Sequence, residues 1–225
     1  MSLNKTALVK LLYDAGVFKF GEYTLKSGQF TPVYIDLRSI ISKPQLFKTL
    51  VNALVELVKG LDFSVLCGVP YAAIPLATGV MVHSDVPLLL ARKDAKDYGT
   101  KKMIEGDFVK GQKVLIVEDV TVLGWSIQET AQSLREHGLL VTDAVTLVDR
   151  QQGGADNLTA DNVNLHSLLT FDDIFAYLVE KGDVTAERAA EIRRQLADTS
   201  YLNNASKDKL KRQSTEENGV VNGNH

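Results

Sequence analysis

The sequence has little cysteine and no long apolar run. These two absences exclude several classes of site and of protein. Cys67 is the single cysteine, which excludes an internal disulfide and a cysteine-rich metal site. It lies in the apolar run 65–67, so we expect a small buried residue rather than a nucleophile. No stretch approaches the roughly 18 apolar residues that span a bilayer, and no apolar segment follows basic residues at the N-terminus. We therefore expect a cytoplasmic protein that does not interact with membranes.

The chain also lacks a large charge excess and the common nucleotide-binding motifs. Its formal net charge is -3 over 225 residues, which does not favour bulk electrostatic binding of nucleic acid. Neither G-x-G-x-x-G nor G-x-x-x-x-G-K-[ST] occurs, so the usual dinucleotide and P-loop signatures are absent. The sequence at Ser126 begins like a nucleophile elbow, but Gln128 stands where the second glycine belongs. A serine hydrolase is therefore a poor interpretation.

Short apolar runs alternate with amphipathic segments, which predicts an α/β protein. A helix over 4–15 and two β segments with a turn at 27–28 come first. The predicted buried strands are 64–67, 87–91, 114–117, 141–148 and 164–169. Five helices are predicted after these N-terminal segments. They run from Pro44 to about Gly60, from the segment 68–73 to about His83, from Ser126 to Gly138, from Thr170 to Gly182, and over 185–197. The pattern predicts a mostly parallel, doubly wound sheet with helices on both faces.

Residues 114–126 (VLIVEDVTVLGWS) carry the strongest functional signal. Four consecutive aliphatic residues predict a strand buried on both faces, and Glu118 and Asp119 then end the apolar run. Gly124 permits a tight turn, and we expect Ser126 to cap the helix that follows. Carboxylates suit sugar hydroxyls or a divalent cation, whereas a helix N-terminus suits a phosphate. A phosphorylated sugar would satisfy both. The alternative is that the two acids are merely solvated at a strand end.

Two basic features are compatible with the same ligand. Residues 92–106 form a polar loop with five basic and three acidic residues in a protein that is negative overall. We expect a mobile lid loop there, although a solvated charge run would need no further explanation. Lys26, beside the predicted turn, either is solvated or reaches a phosphate.

Six short strings, taken together, resemble one family. They are 26–28 (KSG), 34–38 (YIDLR), 68–71 (GVPY), 92–99 (RKDAKDYG), 118–120 (EDV) and 149–154 (DRQQGG). In this order they are similar to orotate phosphoribosyltransferases, in particular to the N-terminal domain of eukaryotic uridine monophosphate synthases. The resemblance covers about residues 5–198. The sequence stops where bifunctional members continue into orotidylate decarboxylase, so we expect that second activity to be missing.

The resemblance implies a type I phosphoribosyltransferase fold with a small N-terminal hood region. Its domain would span 1–198, with 1–40 contributing to the hood and 92–106 forming the lid, before a disordered polar tail over 199–225. The implied reaction transfers the phosphoribosyl group of phosphoribosyl pyrophosphate to orotate, giving orotidine 5'-monophosphate and pyrophosphate. Mg²⁺ would be held through substrate phosphates, with no direct protein ligand. A homodimer with lid loops shared between subunits is also implied.

The family's functional residues transfer by position onto this sequence. For the pyrophosphoryl donor the resemblance implies Lys26, Tyr71, Arg92, Lys93, Lys96, Glu118, Asp119, Gly124 and Ser126, with both acids on the ribose hydroxyls. For orotate it implies Tyr34, Ile35, Val122 and Arg150. The residues implied to be catalytic are Lys96, Tyr98 and Asp119, and Tyr98 stands where bacterial members carry histidine.

One segment departs from the family pattern. The turn after the acid pair normally reads approximately Thr-[Ser/Ala]-Gly-[Thr/Ser]-[Ser/Ala], whereas this chain has Val122, Leu123 and Trp125 around Gly124. We therefore expect weakened binding of the donor. The departure also leaves two other functions open. One is a non-catalytic, regulatory dimer partner, and the other is a phosphoribosyltransferase for another base.

Overall fold

A six-stranded, mostly parallel sheet forms the centre of the protein. The computed structural model describes residues 4–24, 30–92 and 103–197. The strand order is β5-β4-β3-β6-β7-β8, and only β5 runs antiparallel to its neighbour. The strands are β3 (Val65–Gly68), β4 (Leu88–Ala91), β5 (Ile104–Glu105), β6 (Lys113–Thr121), β7 (Leu140–Asp149) and β8 (Asn164–Thr170). The predicted α/β sheet is confirmed.

Helices cover both faces of this sheet because its central strands are apolar on both sides. Leu115 and Ile116, adjacent on β6, are both fully buried but belong to two different hydrophobic clusters. The helices are α1 (Lys5–Asp14), α2 (Pro44–Val58), α3 (Ile74–Ser84), α4 (Trp125–Glu136), α5 (Gly154–Ala160), α6 (Phe171–Lys181) and α7 (Ala186–Ala197). Helices α1, α2, α6 and α7 contribute to the first cluster, whereas α4 and α5 contribute to the second. This doubly wound packing fixes the strand ends that carry the site.

An antiparallel hairpin precedes the sheet. Strand β1 (Phe18–Thr24) pairs with β2 (Phe30–Ile35), as the alternating sequence predicts, and a 3-10 helix (Leu37–Ser42) leads into α2. The turn predicted at 27–28 lies outside the described residues. The assignment of residues 1–40 to a hood stays a prediction.

Some element boundaries differ from the sequence predictions. Strand β6 continues through Glu118 and Asp119 to Thr121, because its pairing with β7 extends to Asp149. The range predicted as a lid loop contains β5, where Ile104 is buried against the second cluster. Helix α5 and the 3-10 helix were not predicted; α5 is only seven residues long and buries just Gly154 and Leu158.

Two further predictions concern the ends of the fold and membranes. Residues 199–225 lie outside the described residues, so the predicted disordered tail stays a prediction. Among the helices of the described ranges, none is long and apolar enough to cross a membrane. Cys67 is fully buried, and this burial raises the pKa of its thiol to about 11, in agreement with a structural role.

Candidate active site

The carboxyl ends of the parallel strands bring several predicted site residues to one edge of the sheet. Gly68 at the end of β3 pairs with Val117, so the segment that contains Tyr71 begins beside Glu118. On the other side, the Arg150 amide donates to the Thr121 carbonyl at 2.9 Å. Open α/β sheets bind ligands at this edge. The acid pair, the turn after it and Arg150 therefore lie along this one edge.

Glu118 is a buried carboxyl group with defined partners. Its side chain is only 5% exposed; Oε1 accepts from the Asp119 amide at 3.0 Å and Oε2 from the Ser126 hydroxyl at 2.8 Å. Burial, followed by the adjacent Asp119 carboxylate, raises the pKa of Glu118 to about 8. Burial thus favours the neutral form of Glu118 in the ligand-free protein. Asp119, by contrast, is partly exposed at the sheet edge.

Helix α4 begins at the turn after the acid pair. Gly124 is its N-cap residue, in the left-handed conformation with φ +78. The prediction that Ser126 caps this helix is wrong, because Ser126 lies inside the first turn and its hydroxyl donates to Glu118 instead. The first amides of an α-helix have no carbonyl partner within the helix, so this end can bind an anion.

Helix α5 holds the turn from behind. The Asn157 side chain donates to the Leu123 carbonyl at 3.0 Å, and Gln128 donates to the Asn157 carbonyl at 3.2 Å. A Cβ at Gly124 would approach the Leu158 side chain to 2.8 Å, so the turn and α5 are in tight contact. This support was not predicted, because α5 was not. The available signal was the glycine pair at its start, Gly153 as N-cap and Gly154 as first residue.

The substituted residues of the turn have unequal environments. Leu123 is buried at 6% exposure, whereas Val122 and Trp125 are partly exposed. Trp125 is the first residue of α4, directly after the N-cap glycine. An indole therefore stands at the helix end that the resemblance assigns to a phosphate.

Arg150 is half-buried at the end of β7. Its guanidinium carbon lies 5.0 Å from the centroid of the Phe171 ring, a cation–π distance. The preceding Asp149 is buried, and its carboxylate accepts from the Gln151 amide at 2.8 Å. Burial raises the pKa of Asp149.

Four other predicted residues lie in the described part of the chain. Tyr71 is 67% exposed in the segment after β3, and Arg92 follows β4 and forms an ion pair with Glu105 at 3.6 Å. Tyr34 on β2 accepts from Arg38 at 2.9 Å and packs against Tyr23. Ile35 packs against the first hydrophobic cluster. The contacts of Tyr34 therefore lie within the N-terminal region, and its place in an orotate pocket stays a prediction.

Some of the predicted site lies outside the described residues. This applies to Lys26, Lys93, Lys96 and Tyr98. Residues brought to one edge of the sheet are Glu118, Asp119, Val122, Gly124, Ser126 and Arg150. Within the described ranges, no three histidine, cysteine or acidic residues cluster as a metal site.

Comparison with known proteins identifies the family to which the chain belongs. A scan of protein-family models finds no match. The chain is, however, 47% identical over 197 residues to orotate phosphoribosyltransferase from Caenorhabditis elegans, covering 87% of each protein. The chain belongs to the orotate phosphoribosyltransferase family. Uridine 5'-monophosphate synthase from Bos taurus is 44% identical over 198 residues, covering 87% of this chain but 41% of that protein.

Solved structures agree with this membership in the orotate phosphoribosyltransferase family. UMP synthase from Leishmania donovani aligns with a TM-score of 0.76 and 30% identity, covering 86% of this chain and 42% of that one. Mycobacterium tuberculosis orotate phosphoribosyltransferase in complex with 5-phospho-alpha-D-ribosyl 1-diphosphate aligns with a TM-score of 0.64 and 28% identity, covering 76% and 98%. The chain spans about two fifths of both UMP synthases. The type I phosphoribosyltransferase fold expected from the sequence is confirmed.

Proposed function

We propose that this protein is an orotate phosphoribosyltransferase that forms orotidine 5'-monophosphate and pyrophosphate in cytoplasmic pyrimidine biosynthesis. Membership in the orotate phosphoribosyltransferase family supports the reaction class. The observation that carries the proposal for this chain is the meeting of Glu118, Asp119, the α4 N-terminus and Arg150 at one sheet edge. These groups match a ligand with a diol, a phosphate and an anionic base.

Binding of the ribose phosphate would use two adjacent parts of this edge. The Asp119 carboxylate and the Glu118 carboxyl group would hold the ribose hydroxyls, because carboxyl oxygens accept hydrogen bonds from a diol. The amides around Gly124 and Ser126 would hold the 5'-phosphate at the helix N-terminus. The Ser126 hydroxyl, now donating to Glu118 at 2.8 Å, could reorient toward that phosphate.

Orotate would bind on the Arg150 side of this edge. The guanidinium would pair with the anionic pyrimidine, and stacking on Phe171 at 5.0 Å limits its orientations. Val122 would contact the base directly, and Tyr34 and Ile35 would line the rest of its pocket. In the reaction, the bond from ribose C1 to the pyrophosphate oxygen breaks, a bond to the orotate nitrogen forms, and the proton on that nitrogen is released.

Basic residues near the end of β4 would stabilise the leaving pyrophosphate. Arg92 and Tyr71 lie at the ends of β4 and β3. Lys26, Lys93, Lys96 and Tyr98 would complete the set, with residues 92–106 closing as a lid that excludes water. Departure of pyrophosphate concentrates negative charge on the leaving group, and positioned cations lower the energy of that state.

The donor set of the described residues fits Mg²⁺ bound through substrate. Mg²⁺ retains water and binds substrate phosphates with one or two carboxylates, rather than a cage of protein ligands. The partly exposed Asp119 carboxylate is an oxygen donor of this kind. When bound, Mg²⁺ would neutralise charge on the pyrophosphoryl group.

A homodimer with shared lids is part of the proposal and has a specific test. Lys96→Ala and Asp119→Asn would each inactivate the protein alone. If Lys96 serves the partner's site, a mixed dimer contains one intact site, and equal mixing should restore about a quarter of wild-type activity. If each lid serves its own subunit, mixing restores nothing. Unmixed variants treated identically are the control.

The catalytic proposal is tested by two signals from one sample. Trp125, the single tryptophan, should change its fluorescence when phosphoribosyl pyrophosphate and Mg²⁺ bind beside it. Loss of orotate absorbance in the same cuvette would then demonstrate turnover. Saturable fluorescence change without loss of orotate would contradict catalysis and favour the regulatory dimer partner. Turnover with another base instead of orotate would favour the third function, for which Val122 is the supporting observation.

A further inference from the structure

The segment that carries Arg150 has few backbone contacts of its own. The Arg150 amide makes the segment's sheet hydrogen bond to Thr121, and helix α5 begins with Asn157 donating to the Gly153 carbonyl. Between them, Gln151 and Gly153 both have positive φ angles, +54 and +93. A segment with this backbone needs side-chain contacts to fix its path.

Gln152 provides a buried contact to the last turn of α7. Its side chain is 4% exposed, and Nε2 donates to the Leu196 carbonyl at 2.7 Å. The partner residue Leu196 is itself only 6% exposed. Gln152 Oε1 is buried and has no hydrogen-bond partner among the residues that the structure describes. Packing alone would favour an apolar side chain here, so the hydrogen bond to Leu196 is the physical reason for glutamine.

Gln151 provides a second, exposed contact to α6. Its Nε2 donates to Asp172 Oδ2 at 2.9 Å, and its Oε1 accepts from the Asp172 amide at 2.8 Å. Asp172 also pairs with Arg193 of α7 at 3.0 Å. Because these groups are exposed, we expect the buried Gln152 contact to have the larger effect.

The aromatic residues of α6 form a second set of contacts between Arg150 and α7, separate from the glutamine hydrogen bonds. Arg150 stacks on Phe171, Phe171 meets Phe175 edge to face at 5.6 Å, and Arg193 lies 5.4 Å from the Phe175 centroid. Helix α7 therefore touches both the segment that carries Arg150 and the ring layer beneath its guanidinium.

We propose that Gln152 is a positioning residue for orotate, and that it acts by fastening the Arg150 segment to the last turn of α7. The proposal rests on the proposed function, in which Arg150 pairs with orotate. It makes α7, the last described helix, part of the specificity of the base site. Gln151 supports the same segment through Asp172. Small displacements of a group that orients substrate have large kinetic effects, so a single lost anchor should be measurable.

The test compares Gln152→Met with Gln195→Met in the protein of residues 1–225. Methionine keeps the length of the side chain but cannot donate to Leu196. Gln195 is an exposed glutamine on α7, directly before Leu196, which makes it a matched control for the change of side chain. We expect Gln152→Met to raise the KM for orotate by about tenfold while the KM for phosphoribosyl pyrophosphate stays within about twofold. The control should change neither constant.

A double-mutant cycle separates positioning from general loss of structure. In an Arg150→Ala background, Gln152→Met should no longer raise the KM for orotate, because the group that it positions is gone. Equal effects with and without Arg150 would overturn the proposal. So would an unchanged orotate KM in a folded Gln152→Met protein. If that variant does not fold, Gln152→Asn replaces it, because the shorter amide does not reach the Leu196 carbonyl. A rise in the orotate KM is again expected, and no rise would overturn the proposal.

The wild-type protein distinguishes a wrong reaction from a wrong role of Gln152. If the wild-type protein binds orotate without turnover, the proposed reaction is wrong, and the dissociation constant for orotate replaces KM in the same comparison. If wild type turns over orotate and the two glutamine variants behave alike, only the role of Gln152 is wrong. If wild type neither turns over nor binds orotate, both proposals are wrong.

Discussion

At the residue scale, Glu118 and Asp119 are neighbours in sequence but have different environments. Glu118 is buried and accepts hydrogen bonds from the Asp119 amide and the Ser126 hydroxyl, whereas Asp119 is partly exposed at the sheet edge. Burial favours the neutral form of a carboxyl group, so the two residues cannot play equal electrostatic roles in the ligand-free protein. The sequence shows an acid pair, but the asymmetry depends on the packing of α4, whose Ser126 donates to Glu118.

This asymmetry predicts a pH-dependent stability. The pKa of Glu118 is raised from an ordinary 4.5 to about 8 by burial and by Asp119. Its contribution to stability is therefore fully present below about pH 4.5 and is lost as the pH rises through about 8. We expect the melting temperature of the ligand-free protein to fall from pH 5 to pH 8.5, and Glu118→Gln to flatten that decline.

Thermal denaturation in matched buffers of constant ionic strength checks this prediction. Glu136→Gln is the control, because Glu136 lies at the far end of α4. If Glu118→Gln and wild type decline in parallel, Glu118 does not titrate in this range.

The substituted turn gives a second prediction at this scale. Relative to the family pattern, Val122 lacks a hydroxyl and Trp125 replaces a small residue next to the anion-binding amides. A lost hydroxyl contact costs about 0.5–1.5 kcal/mol, more when a charged group loses a donor. We expect Val122→Thr combined with Trp125→Ser to lower the KM for phosphoribosyl pyrophosphate by about threefold to tenfold, on the same energy scale.

Steady-state kinetics with varied donor measure this effect. Trp125→Phe is the control, because it keeps an aromatic ring at the first position of α4 and should leave the constant nearly unchanged. An unchanged KM together with an unchanged turnover in the double variant would show that the turn binds the donor without these hydroxyls.

At the element scale, the contact between α5 and the turn is tight enough to predict a specific defect. A Cβ on Gly154 would lie 2.7 Å from Thr121 Cγ2 and 2.8 Å from the Val122 carbonyl oxygen. Because the second neighbour is backbone, relief requires α5 or the turn to move. We expect Gly154→Ala to destabilise the fold by about 1–3 kcal/mol and to weaken binding of both substrates.

Urea denaturation and substrate titrations measure the two effects of Gly154→Ala. The control is Ala155→Ser, an exposed position on the same helix, which should change stability by less than about 0.5 kcal/mol. Full stability of Gly154→Ala with normal binding would mean that the turn and α5 can separate at little cost.

The elements that sequence could predict are those with a strong local pattern. The apolar strands and the α6 capping box are present, with the Thr170 hydroxyl accepting from the Asp173 amide at 3.2 Å. Helix α5 was missed because it has no apolar stripe, and β5 because two residues leave no periodicity. Ser126 was misassigned as a cap because its partner, Glu118, lies eight residues away on another element. Such contacts depend on tertiary structure, and no local rule indicates them.

At the scale of the whole molecule, the sheet makes one functional edge from separate parts of the sequence. Strands β3, β4, β6 and β7 run parallel, so the residues after each strand meet although they are far apart in the chain. The parallel arrangement could be predicted from alternation alone. The anchoring of the Arg150 segment by α7 could not, because Gln152 and Leu196 are 44 residues apart and neither belongs to a recognisable pair.

The role of α7 in this molecule leads to a prediction about where the domain ends. Residues 203–225 contain no aromatic residue, and we predict that residues 199–225 contribute nothing to the domain. Helix α7, in contrast, buries Ala189, Ile192 and Leu196 in the first cluster. A protein of residues 1–198 should keep the melting temperature and both KM values of the full chain. A protein of residues 1–184 should lose several kcal/mol of stability, because each fully buried large aliphatic side chain contributes about 1.5–3 kcal/mol.

Denaturation and kinetics on the two truncated proteins decide the boundary. The shorter protein also loses the Leu196 carbonyl that accepts from Gln152, so its orotate KM should rise even where it remains folded. Equal behaviour of the two truncations would show that α7 is dispensable for both stability and the base site. A loss of stability already in the 1–198 protein would instead place the end of the domain beyond residue 198, since that protein retains all the contacts that α7 makes among the described residues.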